Sequence, residues 1–385
     1  MKITVIGAGL AGLTAAHRLQ QAGFSVNVLE RAQFPGGRMA EAHDVGLNYL
    51  TGARLIYSFS KSVMGLVREF DLTDQLCRGL TTPVSTCSQA GEHSVQIGPG
   101  PGLMFNSRLN YGQRWRLLKM AAGMAGRRFS TNPDRLLDWQ HHDEGTLYEY
   151  LNQRSLDQVS RIYIEPVFRG ARGWRMTDVS PVFFLSTTAH MYGAHAYTFD
   201  DGIGLLTERL ARNLDVTYSA DVKNVSRAVS GGSEFSYELN GLPQSTHADL
   251  VICAVPGSLP LRIVSMPTPE ESQFFKCVKY NSGYILHFGI DRPVEPYVRF
   301  FSPDVNASIA AVEVVDQSRI SSSYLSRISV YLSPEAVIQL RTQPVVEGEL
   351  PAIWNDLPDD VARHLELGYG HVVQQRIENM LPLFY

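Results

Sequence analysis

Gly7-Ala8-Gly9-Leu10-Ala11-Gly12 is the stretch whose reading decides the fold. It follows Lys2-Ile3-Thr4-Val5-Ile6, a β-branched run that reads as a buried parallel strand. It opens Leu13 to Ala22, where Leu10, Leu13, Ala16 and Leu19 recur at helical spacing and Gly23 can close the helix. Phe24 to Leu29 is then a second strand, ending on Glu30. The pattern is G-x-G-x-x-G inside a strand–helix–strand unit with an acid beyond it, the arrangement of a dinucleotide site. Gly7 permits the tight turn, Gly9 lets a pyrophosphate approach the backbone, and Gly12 lets helix and strand pack closely. The helix N-terminus, including Leu10 and Ala11, offers N–H groups and a positive dipole end to phosphates. Glu30 stands where a carboxylate can accept from ribose hydroxyls. An ordinary βα turn explains the first glycine but not all three.

The bulk composition narrows the rest. A chain of 385 residues is long enough for two or three domains of roughly 150 residues. With 44% hydrophobic and 19% charged residues it reads as globular. A formal charge of −4 argues against a nucleic-acid partner, which needs a basic face. No apolar run approaches the ~20 residues of a membrane span. The chain opens almost directly on its first strand, leaving no room for a secretion signal. Cys77, Cys87, Cys253 and Cys277 match no metal or redox spacing and read as reduced thiols, so the expected location is cytoplasmic. Nucleophile-elbow, H-E-x-x-H and Gly-Lys phosphate-loop motifs are missing. His141-His142-Asp143-Glu144 reads as a solvated loop and helix cap rather than a metal site.

Beyond Glu30 comes Arg31, and then Pro35-Gly36-Gly37-Arg38. The combination of glycine fingerprint, acid–Arg pair and Gly-Gly-Arg resembles the flavin-dependent amine oxidase superfamily, in its protoporphyrinogen oxidase and carotenoid desaturase-like branch. The resemblance implies FAD rather than NAD, with Gly37 and Arg38 at its phosphates or ring edge. Asp44-Val45-Gly46-Leu47 through Gly52-Ala53-Arg54 looks like the family's Asp-x-Gly strand and the loop along the flavin. By that match Gly52, Ala53 and Arg54 lie near the isoalloxazine. Val222, in Asp221–Val225, is placed at the adenine end, and Ala254 in the family's Ala-x-Pro turn. Amine oxidases carry a lysine in the strand that here reads Tyr280 to Leu286. Ile285 matches that position, and Tyr280-Asn281-Ser282 looks more like the protoporphyrinogen oxidase branch, which disfavours an amine substrate. Arg54 and Tyr280 stand as candidates for flavin-side and cavity roles; no catalytic base is assigned.

The implied fold is α/β: a Rossmann-like FAD-binding domain interleaved with an α+β substrate domain of antiparallel sheet plus helices. Residues 1–58 and 199–265 are expected to form the FAD-binding part. Residues 59–198 should be the helical and 266–350 the sheet part of the substrate domain, with 351–385 returning toward the FAD. Residues 79–112, rich in turn formers, read as short hairpins, and Tyr280–Ile290, Ala307–Val315 and Leu325–Leu332 as long strands. Ser180-Pro181 starts a helix carrying His190 and leading to His195 and Tyr197, a stretch that lines the substrate cavity in relatives. Trp115 to Phe129 is a basic amphipathic helix, suited to a wet face of the substrate domain or to peripheral membrane contact. Trp354 falls in a turn region. Relatives continue past the equivalent of Tyr385 with a flavin-capping segment, so the sequence is expected to be a fragment. The implied reaction is hydride removal from a C–H bond of a hydrophobic small molecule to flavin N5, with oxygen or a quinone as electron acceptor. An amine oxidase, a non-catalytic FAD-fold partner protein and an NAD-dependent dehydrogenase are the alternatives.

Overall fold

The computed structural model describes residues 1–79, 82–95, 109–191, 193–318, 323–342, 355–377 and 382–383. Trp354, Leu381, Phe384, Tyr385 and residues 80, 81 and 96–108 of the turn-rich region lie outside the described residues. A Rossmann-like parallel unit is interleaved with an α+β unit.

Four parallel strands form the first sheet, in the order Asp215–Thr217, Ser25–Leu29, Lys2–Ile6, Leu250–Cys253. Ile3 and Val5 are wholly buried, as a strand covered on both faces requires. The helix Leu10–Gln21 lays Leu13 and Ala16 into the core that Leu205, Leu206 and Leu210 of helix Leu205–Ala211 complete. The strand ending at Cys253 differs from the sequence expectation of burial: Leu250 is 43% exposed and Cys253 is exposed. It is the sheet's edge among the described residues, so one side and part of its face meet solvent. A separate antiparallel sheet, Ala220–Arg227, Ser233–Leu239 and Leu242–Ala248, follows the polar hairpin pattern.

The second large sheet has seven strands, ordered Val372–Ile377, Gly283–Ile290, Ser326–Leu332, Ile309–Asp316, Tyr297–Phe301, Val84–Ser88, Gly91–Ser94. Its three long central strands are those legible in the sequence. Tyr297–Phe301, inside the stretch 266–350 expected to form the sheet, joins them, as do a hairpin from the turn-rich 79–112 region and the strand Val372–Ile377. Pairing is antiparallel except between Tyr297–Phe301 and Val84–Ser88. A helical layer built around Trp139, Leu147, Leu151, Trp174 and Leu185 forms its own core. Thr146 and Glu149 cap the helix Leu147–Gln153 reciprocally, and Ser180 Oγ accepts from Val182 N–H at the start of Pro181–Met191.

Within the Asp44-Val45-Gly46 stretch, expected to be strand, Asp44 is strand and Val45-Gly46 is a hairpin turn. Glu41–Asp44 pairs with Leu47–Leu50 across Val45 (φ 44°) and Gly46 (φ 81°). Two consecutive left-handed residues make the tight turn whose twist matches the strands.

Candidate cofactor and substrate site

The three fingerprint glycines answer to three different constraints. Gly7 turns at φ 103°, and a Cβ there would lie 2.8 Å from the Ala254 carbonyl oxygen. A Cβ on Gly12 would collide with the Gly7 carbonyl oxygen. Gly9 has an ordinary φ of −73°, and a Cβ would meet nothing within 4 Å. The protein's own packing therefore demands glycine at 7 and 12 but not at 9, whose missing side chain opens only onto a cavity. No side chain caps the helix that begins at Leu10, and no acid stands in its first turn. A glycine kept bare at an uncapped helix N-terminus is what a pyrophosphate needs. The site fits a flavin dinucleotide.

Glu30, at the end of the second strand, is held by its own neighbours. One carboxylate oxygen accepts from Ala8 N–H at 2.6 Å and the other from Ala32 N–H at 2.8 Å. Both oxygens keep lone pairs for a further donor. Gly36 N–H donates to the Ala8 carbonyl, drawing the Gly36-Gly37 turn onto the fingerprint. That turn is stitched in its turn to the segment carrying Gly52: Thr51 Oγ donates to the Gly37 carbonyl at 2.6 Å, and Ala53 N–H donates to the Arg38 carbonyl at 2.7 Å. A Cβ on Gly52 would come within 2.6 Å of that Arg38 oxygen.

These segments wall one cavity of about 1840 Å³. Of the residues singled out in the sequence, Gly7, Gly9, Leu10, Ala11, Glu30, Arg31, Gly37, Arg38, Gly52, Ala53, Arg54, Val222, Ala254 and Tyr280 all line it. Gly12 does not; it serves the packing behind. Ile285, at the position where amine oxidases carry lysine, also lines it. The Tyr280 hydroxyl accepts from Gly257 N–H at 2.9 Å and so fixes the turn after Pro256. His190, His195 and Tyr197 are not on the wall. His190 turns inward to bond the Ser186 carbonyl, and Thr187, Thr188, Thr198 and Phe199 take the facing positions.

On the side of the seven-stranded sheet the cavity meets a buried polar group that sequence reasoning missed. Arg54 Nη1 bonds Glu313 and its guanidinium lies 4.9 Å from the Tyr331 ring centre. Arg327 donates to Glu313 at 3.4 Å and Tyr331 Oη to the same carboxylate at 3.2 Å. Burial works to raise the Glu313 carboxyl, but Arg54 and Arg327 outweigh it and hold it below the usual carboxylate range. Beside it His287, stacked 4.6 Å from Tyr49, bonds Ser329 Oγ and Gln375. Burial first, and the Arg327 charge second, push its imidazole down to about 3, so it is neutral. Arg327 and Gln317 also donate to the Asn48 carbonyl, and Gln375 to that of Leu50. Side chains of the large sheet thus hold the strand that leads to Gly52, Ala53 and Arg54. The one available signal was a lone Glu or Arg inside an otherwise apolar strand. Glu41 was missed too: it accepts from Ile203 N–H, burial raises its carboxyl above the usual range, and Gly202 leaves room for it.

Comparison with known proteins agrees with this architecture. The family model of flavin containing amine oxidoreductases matches residues 10–338. A zeta-carotene-forming phytoene desaturase of Myxococcus xanthus is 25% identical over 326 residues, 76% of this chain and 60% of that protein. The match therefore covers less than two thirds of that curated relative. A solved putrescine oxidase variant superposes with a TM-score of 0.69 at 17% identity, covering 97% of this chain and 84% of the other. A CLA-producing fatty acid isomerase of P. acnes gives 0.65 at 14%, covering 99% and 86%. At such identities the two structures establish a shared fold alone. With the glycine cradle fitted to FAD and the family match running through both sheets, the chain belongs to the flavin containing amine oxidoreductases.

Proposed function

We propose that the protein is an FAD-dependent oxidoreductase that removes hydride from a C–H bond of a hydrophobic small molecule. The observation that carries this reading is the continuity of one cavity from the bare Gly9 turn to a wall of Phe168, Phe183, Phe184, Met191 and Phe300. Bound FAD would supply the hydride acceptor, later reoxidised by oxygen or a quinone. In this reading residues 1–58 and 199–265 hold the cofactor. The N–H groups at Leu10 and Ala11 face the pyrophosphate, Glu30 takes the ribose, and Val222 and Ala254 border the adenine side. Arg31, Gly37, Arg38, Gly52, Ala53 and Arg54 bind and orient the rest. Residues 59–198 and 266–350 supply the substrate side, where apolar rings exclude water.

An amine is the poorer substrate. A cationic amine wants a free carboxylate, whereas Glu313 is already held by Arg54 and Arg327 and tied to the Tyr331 hydroxyl. Ile285 offers no proton-handling group where amine oxidases carry lysine. The helix Tyr111–Arg127 supports peripheral membrane contact, since Tyr111, Trp115 and nearby Phe129 are exposed among basic residues. FAD-loaded protein mixed anaerobically with a polyene, a porphyrinogen or an amine gives the test. Loss of the oxidised-flavin absorbance with either of the first two, and not with the amine, is expected. A colourless protein that takes up no added FAD would instead favour a non-catalytic partner role.

A further inference from the structure

Arg172 is a cation on the cavity wall with no carboxylate partner among the described residues. It closes the helix Glu165–Arg172, and its placement is over-determined by the residues around it. Arg169, one turn earlier, is buried and donates to the carbonyls of Phe301, Ala307 and Ile309 and to Glu335, clamping the helix to the large sheet. Gly170 lets the helix approach that sheet: a Cβ would lie 2.8 Å from the Ala310 carbonyl oxygen and crowd Phe300. Gly173 ends the helix at φ 62°, and Asn281 Nδ2 donates to the carbonyls of Arg172 and Gly173 at 2.7 and 2.8 Å. The guanidinium then lies against two touching rings, 4.5 Å from the centre of Phe183 and 5.5 Å from that of Trp174.

Among the described residues no carboxylate pairs with Arg172. Burial lowers its pKa, and among the described residues the opposing influence comes from the Tyr57 phenol and not from a carboxylate. The contrast with Arg54 and Arg327, which share Glu313, is direct. A neutral hydrocarbon filling the apolar pocket would strip the remaining water from this cation and give nothing back, which is costly. An acid would return a charge-assisted, two-pronged hydrogen bond.

We infer that Arg172 anchors the carboxylate of the substrate, so that the hydrophobic molecule entering this cavity is an organic acid. Asn281 acts as a positioning residue through the backbone it holds. The inference rests on the proposed oxidoreductase reading for the reaction but reads out separately from it.

The test uses the full chain loaded with FAD, with oleate and oleyl alcohol as probes below their aggregation concentrations. Binding is followed by tryptophan fluorescence, Trp174 lying against the proposed anchor, and by calorimetry. Oleate should bind about tenfold to a hundredfold more tightly than the alcohol. Arg172→Met should erase that preference, Arg172→Lys should keep part of it, and neither should change FAD affinity more than about twofold. Equal binding of acid and alcohol, failure of oleate to bind, or a preference surviving in Arg172→Met overturns the inference. So does a tenfold loss of FAD affinity in Arg172→Met, which would give the arginine to the cofactor. If Arg172→Met does not fold, the native chain's preference and Arg172→Lys decide. Native protein that ignores FAD yet still prefers oleate would end the oxidoreductase reading and leave the acid site standing.

Discussion

At Gly9 a methyl group costs the fold nothing that the structure can show, while at Gly12 it strikes the backbone of the turn. That asymmetry separates a residue kept for a ligand from one kept for packing. Gly9→Val should fold with a stability change within about 1 kcal/mol, as for an unobstructed surface site, yet lose FAD uptake, read by flavin absorbance after gel filtration. Gly12→Ala should lower stability by about 1–3 kcal/mol through overpacking, whether or not FAD is present. Glu313 invites a different substitution. Glu313→Gln leaves the buried Arg327 and the half-buried Arg54 against a neutral amide, and for the buried Arg327 removing the charged partner costs up to about 3 kcal/mol, the low end of the range for a buried pair. Urea denaturation of the apoprotein reads that loss. His287 gives the molecule a pH slope. Its folded pKa of about 3 lies below the ordinary value of 6.5, so between those limits the unfolded chain binds the proton and the folded chain does not. Its contribution is complete above pH 6.5 and drains away as pH falls toward 3. At pH 5 the loss from this group is about 2 kcal/mol, from 1.5 pH units at 1.36 kcal/mol each. His287→Gln should flatten the difference between pH 7 and pH 5 by that amount; an unchanged difference would assign the slope to other groups.

At the scale of the element, the hairpin Glu41–Leu50 shows what sequence could and could not reveal. Its turn residue Val45 sits at φ 44°, which a β-branched side chain resists and asparagine accepts. Val45→Asn should therefore raise stability by about 0.5–1 kcal/mol, of the size seen when a turn residue is matched to its conformation, measured as a higher denaturation midpoint. Read by resemblance, the valine looked like part of a strand; the positive φ that makes a turn of Val45-Gly46 is visible only once the two flanking strands pair. The first strand, helix and second strand were legible because their signals are local: a β-branched run, a helical stripe and three glycines within twelve residues. The Glu313 group was not, because Arg54 and Glu313 lie 259 residues apart and meet only when the large sheet forms. Arg172 was hidden for the same reason. Nothing near it in sequence says that Arg169 takes the carbonyls and leaves the next turn's arginine facing the cavity. The outer strands 84–94 and 372–377 are short, partly polar segments whose strand character comes from their partners.

For the whole molecule the consequence is coupling. The cavity wall takes residues from the parallel sheet (Gly7, Glu30), from the helical layer (Phe168, Arg172, Phe183) and from the large sheet (Ile285, Glu313, Tyr331). A ligand held by all three must stabilise them together, because unfolding any one breaks the site. FAD at a hundred times its dissociation constant should add about 2.7 kcal/mol to the unfolding free energy. The telling probe is tryptophan: Trp139 and Trp174 are buried in the helical core, remote in sequence from the glycine turn. If the cofactor engages only the parallel unit, their unfolding transition stays where it was and flavin release precedes it. If the cavity works as one site, the tryptophan transition rises with FAD and coincides with flavin release, and Gly9→Val abolishes the shift while leaving the unliganded transition in place.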